Sequence, residues 1–224
     1  MAILDEIKER KATASIAGGV LIVALVAIWL QARPATLQVN HVMIAGIGQV
    51  AAAETAAAVR DHGQVLAVIN VNYTMAGPLQ ETWQAFQREL KKHPGITLLT
   101  PVKAEVDPGD SQTGCSSRDF KNLMEQNADV DAIVFFVSLP EWGWLRQNQR
   151  IPQRLPPQVV VVDTGPLPAQ GHYASYFANG FVSLLIAPRS NAAPTKPGGP
   201  QTGREWCDKY YQVFTPANFE SPTE

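Results

Sequence analysis

The sequence predicts one mostly parallel α/β sheet with helices on both faces, preceded by a single membrane-spanning helix. Three observations point there. An uncharged run occupies Ala12–Leu30, ATASIAGGVLIVALVAIWL. As a helix that run is roughly 28 Å long, close to the hydrocarbon thickness of a bilayer. Beyond it, short runs rich in Val, Ile and Phe alternate with helical patterns. Those runs are almost continuously apolar, which suits strands covered on both faces rather than one.

The flanks of the apolar run orient it. Lys8, Arg10 and Lys11 precede it, and Arg33 closely follows. Basic residues stay on the cytoplasmic side while acidic ones count little, so the expected topology is amino terminus inside and the bulk exported. A cleaved signal peptide is the competing reading. Against it, the run is long for such a segment, and Leu30-Gln31-Ala32 is a poor cleavage site with Pro34 just beyond. The expected organisation is a cytoplasmic stretch 1–11, an anchor 12–30, an extracytoplasmic domain 36–187, a Pro/Gly-rich linker 188–203 and an aromatic tail 204–224.

Composition narrows the partners. A net charge of −2 and a pI near 6.1, with no Lys/Arg-rich stripe, exclude a nucleic-acid surface. The two cysteines, Cys115 and Cys207, lie in the exported part, where a single disulfide is permitted. Two unpaired thiols are the other possibility.

The predicted strands are Gln38–Ala45, Val65–Val71, Ile96–Val102, Ala132–Ser138, Val159–Asp163 and Phe181–Ala187. Between the first two, the alanine-rich Val50–Arg60 reads as a helix. Leu79, Trp83, Phe86 and Leu90 make one helical stripe, started by Pro78 and stopped at His93-Pro94-Gly95. Ser116 and Asp119 form an N-cap and an acidic first turn before Phe120, Leu123 and Met124. Tyr173, Tyr176 and Phe177 give a third stripe, closed by Asn179-Gly180. After the linker, REWCDKYYQVF reads as a short helix that docks on the domain or on a partner.

Repeated strand–helix–strand order across residues 36–187 resembles one lobe of a type I periplasmic-binding-protein fold, or a flavodoxin-like domain. Such a binding protein closes two lobes around its ligand, and this chain is long enough for one.

Motifs for chemistry are scarce. Gly46-Ile47-Gly48-Gln49-Val50-Ala51 matches a dinucleotide turn, but the next strand ends in Asn70-Val71-Asn72 without the acid that would hold a ribose. A tight strand-to-helix turn is expected instead, and no cofactor. Asp163-Thr164-Gly165 stands alone, in an α/β pattern, where an aspartic protease needs two carboxylates in an all-β setting. The histidines at 41, 62, 93 and 172 lack ligand spacing, so no metal site is expected. Asn72-Tyr73-Thr74 fits a glycosylation sequon. No catalytic residue emerges.

Ligands of open α/β sheets sit beyond the strand carboxyl ends. Here those ends carry Asn72, Tyr73 and Thr74, then Ser138 and Glu141, then Asp163 and Thr164, then Arg189. They are either a polar pocket or ordinary polar loops. Leu139-Pro140-Glu141-Trp142-Gly143-Trp144-Leu145 places two tryptophans in a predicted loop, and Trp206 and Tyr210 lie in the tail. Loop tryptophans suit a partner surface, or they fold under the sheet. The expectation from the sequence is a non-catalytic accessory subunit, anchored through residues 12–30, which binds other subunits of a membrane complex through Trp142, Trp144, Trp206 and Tyr210. The alternative is a tethered small-molecule binding or sensing domain that uses the strand ends, with an exported hydrolase or redox enzyme third.

Overall fold

The computed structural model describes residues 41–70, 77–104, 114–164, 169–189 and 202–219. The expected anchor at 12–30 lies outside these residues. Among those described, no helix is long and apolar enough to cross a membrane.

Residues 41–219 build a seven-stranded sheet. Helix α1 (His41–Ala58) leads into β1 (His62–Asn70), followed by α2 (Pro78–Leu90), β2 (Gly95–Leu98) and β3 (Val102–Ala104). Then come α3 (Ser117–Gln126), β4 (Ala132–Phe135), α4 (Trp142–Gln147) and β5 (Gln158–Val162). The chain continues with α5 (Ala169–Ala178), β6 (Leu184–Pro188), α6 (Gly203–Tyr210) and β7 (Tyr211–Phe214). In space the order is β2-β1-β4-β5-β6-β7, with β3 also on β1. All pairs are parallel except β6 with β7.

Successive strand side chains point to opposite faces, and both faces are dry. Val65, Ala67, Ile69, Val134, Phe136, Val160 and Ile186 pack under α1, α2 and α6. Leu66, Val68, Ile133, Phe135, Val161 and Leu185 pack under α3, α4 and α5. This two-sided burial is what the continuous apolar runs anticipate.

Local chemistry sets several boundaries. Pro78 opens α2 after Gly77, whose φ of 126° suits only glycine. Ser116 caps α3, accepting from the Asp119 amide at 3.2 Å. Asn179-Gly180 ends α5, with Gly180 at φ 70° and the Phe181 amide donating to the Tyr176 carbonyl at 2.8 Å.

Five expectations are corrected. The predicted strand Gln38–Ala45 and the helix Val50–Arg60 are, from His41 to Ala58, one helix. Val42, Met43 and Ile44 have the local composition of a strand, but they open α1, whose stretch from Gly46 to Ala56 is largely buried against the sheet, α2 and α6 while Val42 stays exposed. Consequently Gly46-Ile47-Gly48 is not a turn. It lies within α1, and a Cβ at Gly46 would overlap the Gly203 carbonyl while one at Gly48 would overlap the Thr82 carbonyl. The small residues of the apparent dinucleotide motif admit neighbouring backbones rather than a pyrophosphate.

The predicted strand Ile96–Val102 is two. β2 pairs with His62–Val65 and β3 with Val68–Asn70, and Pro101 stands in the break without a donor for the ladder. The tail docks on the domain, one of its two expected roles, but it is not helical throughout: after Gly203–Tyr210, Tyr211–Phe214 adds β7 antiparallel to β6. Thr202 starts α6 with a capping box, its hydroxyl accepting from the Glu205 amide at 3.2 Å.

The disulfide is absent. Cys115 and Cys207 are free, buried thiols, one in each layer. The sheet lies between them, and a disulfide needs Cα atoms within about 7 Å.

Candidate functional site

The sheet changes winding direction at one place. From β1 the chain crosses over one face through α2 to β2, and from β3 it crosses over the other face through α3 to β4. β2 and β4 flank β1 on opposite sides, so the crossovers diverge between β1 and β4. Ligands of open α/β sheets sit beyond the strand carboxyl ends at such a switch point.

Four chain segments reach this edge. β1 ends at Asn70, a buried polar residue in register with Ala104. β4 leads through Phe136 and Val137 to half-buried Ser138, which bridges Gly114, and the Ser138 carbonyl accepts from the Cys115 amide at 2.9 Å. β5 ends at half-buried Asp163 and exposed Thr164, and the Asp163 amide extends the ladder to the Ile186 carbonyl at 2.9 Å. β6 leads to exposed Arg189.

The side chains behind this rim are tied down from α5. The Tyr173 hydroxyl donates to Asp163 Oδ2 at 2.9 Å. His172 Nε2 donates to the Leu139 carbonyl at 2.8 Å, and the Tyr176 hydroxyl donates to the Pro140 carbonyl. Burial first, and the Asp163 charge second, push the Tyr173 phenol well above its ordinary value, so it remains a protonated donor.

Ser138, Glu141, Asp163 and Thr164 thus belong to the β4 and β5 ends, with Glu141 exposed at the N-cap of α4 and making no side-chain cap bond. Arg189 is tied into the neighbouring strand junction. Its Nε donates to the Tyr211 carbonyl at 2.8 Å and its amide to the Tyr210 carbonyl at 2.7 Å, so it serves the β6–β7 junction. Asn72, Tyr73 and Thr74 lie outside the described residues. Sequence reading missed Asn70, one residue short of the predicted end of its strand. It also missed Tyr173, which looks like any aromatic of an apolar stripe.

The expected partner-binding aromatics do not form one surface. Trp142 lies in α4 rather than a loop, half-buried, with its ring 5.1 Å from Tyr176 and 4.9 Å from Phe181. Trp144 is 43% exposed, under the Arg150 guanidinium at 5.0 Å. Trp206 and Tyr210 stack on each other at 5.3 Å, half-buried along α6, and Tyr210 packs against the α1/α2 layer. Among the described residues no group of three His, Cys, Asp or Glu could hold a metal ion.

A similar fold occurs in a solved structure. A solute-binding protein of an ABC transporter from Burkholderia graminis, in complex with D-arabinose, superposes with a TM-score of 0.50 at 15% identity, over 80% of this chain and 62% of that one. The fold is periplasmic-binding-protein-like. A glucose-galactose binding protein from Geobacillus stearothermophilus matches with a TM-score of 0.49 at 12% identity, over 78% of this chain and 61% of that one. A solute-binding protein from Agrobacterium vitis, bound with α-D-tagatopyranose, gives 0.48 at 19%, over 80% and 58%. The chain spans about three-fifths of the length of these neighbours. No family model and no curated sequence matches it.

The expectation of an assembly subunit is overturned here. The B. graminis protein that shares the binding-protein-like fold is described as a solute binder, not as a subunit that assembles a complex. In addition, Trp142 and Tyr210, two of the four presumed anchors, pack against this chain's own core.

Proposed function

We propose that this domain binds a small polar solute at the switch point beyond β1, β4 and β5, outside the cytoplasm, with residues 12–30 as its membrane tether. The observation that carries the reading is the divergence of crossovers between β1 and β4, with Ser138 and Asp163 standing at the strand ends beside it. A hydroxyl and a carboxylate there suit a ligand rich in hydroxyl or amine donors, because each donor replaces a hydrogen bond lost from water. Neutral sugars, the ligands named for the solved neighbours, head the solutes to be tested. Binding and release is the proposed activity, without a chemical step.

Titration calorimetry of the purified chain with pentoses, hexoses, amino acids and dicarboxylates tests it. One solute class should give saturable heat, and Asp163→Asn or Ser138→Ala should weaken it about tenfold, the equivalent of one lost hydrogen bond. Absence of heat with every class would overturn the reading. Protease added outside spheroplasts checks the tether: it should digest the domain and spare the first dozen residues. A mature amino terminus near Ala32 or Ala35 would rule the tether out.

A further inference from the structure

We propose that α5 forms a positioning brace for the solute site, with Tyr173 setting the Asp163 carboxylate and Tyr176 setting the loop after β4. The inference rests on the solute-binding reading and assigns the site a support that does not itself touch ligand.

The geometry is specific. Tyr173 and Tyr176 are one turn apart on α5, and both are fully buried. Their rings lie in the α3/α4/α5 layer, yet their hydroxyls reach two different rim segments: Tyr173 to Asp163 Oδ2 at the end of β5, Tyr176 to the Pro140 carbonyl beyond β4. His172, stacked edge-on against Tyr173 at 4.8 Å, adds a third bond, to the Leu139 carbonyl. One helix therefore holds two neighbouring segments of the rim, the ends of β4 and β5. A buried aromatic needed only for packing would serve equally well as phenylalanine. Two adjacent tyrosines with both hydroxyls bonded to the rim are a means of fixing the separation between Asp163 and the β4 loop. Because the Tyr173 phenol stays protonated, it always donates, which commits Oδ2 of Asp163 to it and sets how the carboxyl group is turned. Binding sites gain affinity when such supports hold their groups ready beforehand.

The test uses Tyr173→Phe and Tyr176→Phe in the full chain, with hydrogen exchange and calorimetry on the same samples. Expected is amide exchange at 163–164 in Tyr173→Phe and at 139–142 in Tyr176→Phe that speeds up at least tenfold more than exchange in β1 and β4, whose protection follows global stability alone. The solute that binds the parent chain should bind each variant about tenfold more weakly, while Asp163→Asn, which keeps an acceptor for Tyr173, should weaken binding without loosening 139–142. Exchange that rises uniformly, or not at all, would show that the tyrosines are packing residues only. Unchanged affinity in both variants would overturn the brace alone and leave the solute site standing. A parent chain that binds none of the solutes would overturn the site, and the brace's role with it.

Discussion

Gly46 and Gly48 invert the usual rule for glycine in a helix. Replacing a mid-helix glycine by alanine ordinarily stabilises by about 1 kcal/mol, since it lowers the freedom of the unfolded chain. Here the added methyl group meets backbone, the Gly203 carbonyl at one position and the Thr82 carbonyl at the other. Backbone cannot rotate aside as a side chain can, so overpacking dominates. Gly46→Ala should therefore lower stability by about 1–3 kcal/mol in urea denaturation. A stabilised Gly46→Ala protein would disprove the close α1–α6 contact. Asp163 and Tyr173 belong to the same scale. Tyr173→Phe removes a hydrogen bond to a charged group and should cost about 1.5–3 kcal/mol, while leaving circular dichroism unchanged.

Among the elements, α4 and α6 behave differently from what their aromatic residues suggest. α4 has only six residues and relies on Leu145, fully buried, and on the Trp142 ring for its place on the sheet. Trp142→Ala should therefore destabilise by about 2–3 kcal/mol, below the range for a fully buried ring because Trp142 is half-exposed. Trp144→Ala should change the urea midpoint by less than about 0.5 kcal/mol in free energy, since its ring faces solvent. Equal losses at both positions would contradict this division. For α6 the critical residue is its cap. Thr202→Ala breaks a capping box and should cost about 1 kcal/mol, with the faster exchange confined to α6 and β7.

For the whole molecule, the two thiols and a tyrosine link stability to alkaline pH. Burial pushes Cys115 and Cys207 up from 9.0 to about 12, and burial does the same for Tyr211, from 10.0 to about 12. The unfolded chain loses these protons at lower pH than the folded one. Stability from this source is therefore complete below about pH 9 and is lost progressively between about pH 9 and 12, by about 1.4 kcal/mol per pH unit for each group. The urea midpoint should fall steeply from pH 8.5 to 10.5, and Cys207→Ala should make the fall shallower. A midpoint constant over that interval would refute it. Because both thiols are free and buried, alkylation of the native chain at pH 7.5 should be slow, with two thiols reacting promptly once it is unfolded. No reactive thiol in the unfolded chain would revive a disulfide.

The α/β class, the strands at Val65, Val159 and Ala132, and the helices carrying Trp83, Phe120 and Tyr173 were legible in the sequence alone. Each depends on a local period or a continuous apolar run, and burial on both sheet faces writes that pattern directly into composition. The placement of Ser138, Asp163 and Thr164 at strand ends was legible for the same reason, since each directly follows an apolar run. Tertiary structure decided the rest. Val42, Met43 and Ile44 extend a helix whose buried part, from Gly46 to Ala56, packs on α2, α6 and the sheet, an environment no short window contains. The glycines of α1 take their meaning from Thr82 and Gly203, distant in sequence. Cys115 and Cys207 are separated by a sheet whose position neither residue reveals. Tyr173 differs from any core aromatic only through its bond to Asp163, ten residues back and on another element. Long-range contacts are set when elements close on one another, so residues whose roles depend on them cannot be read in isolation.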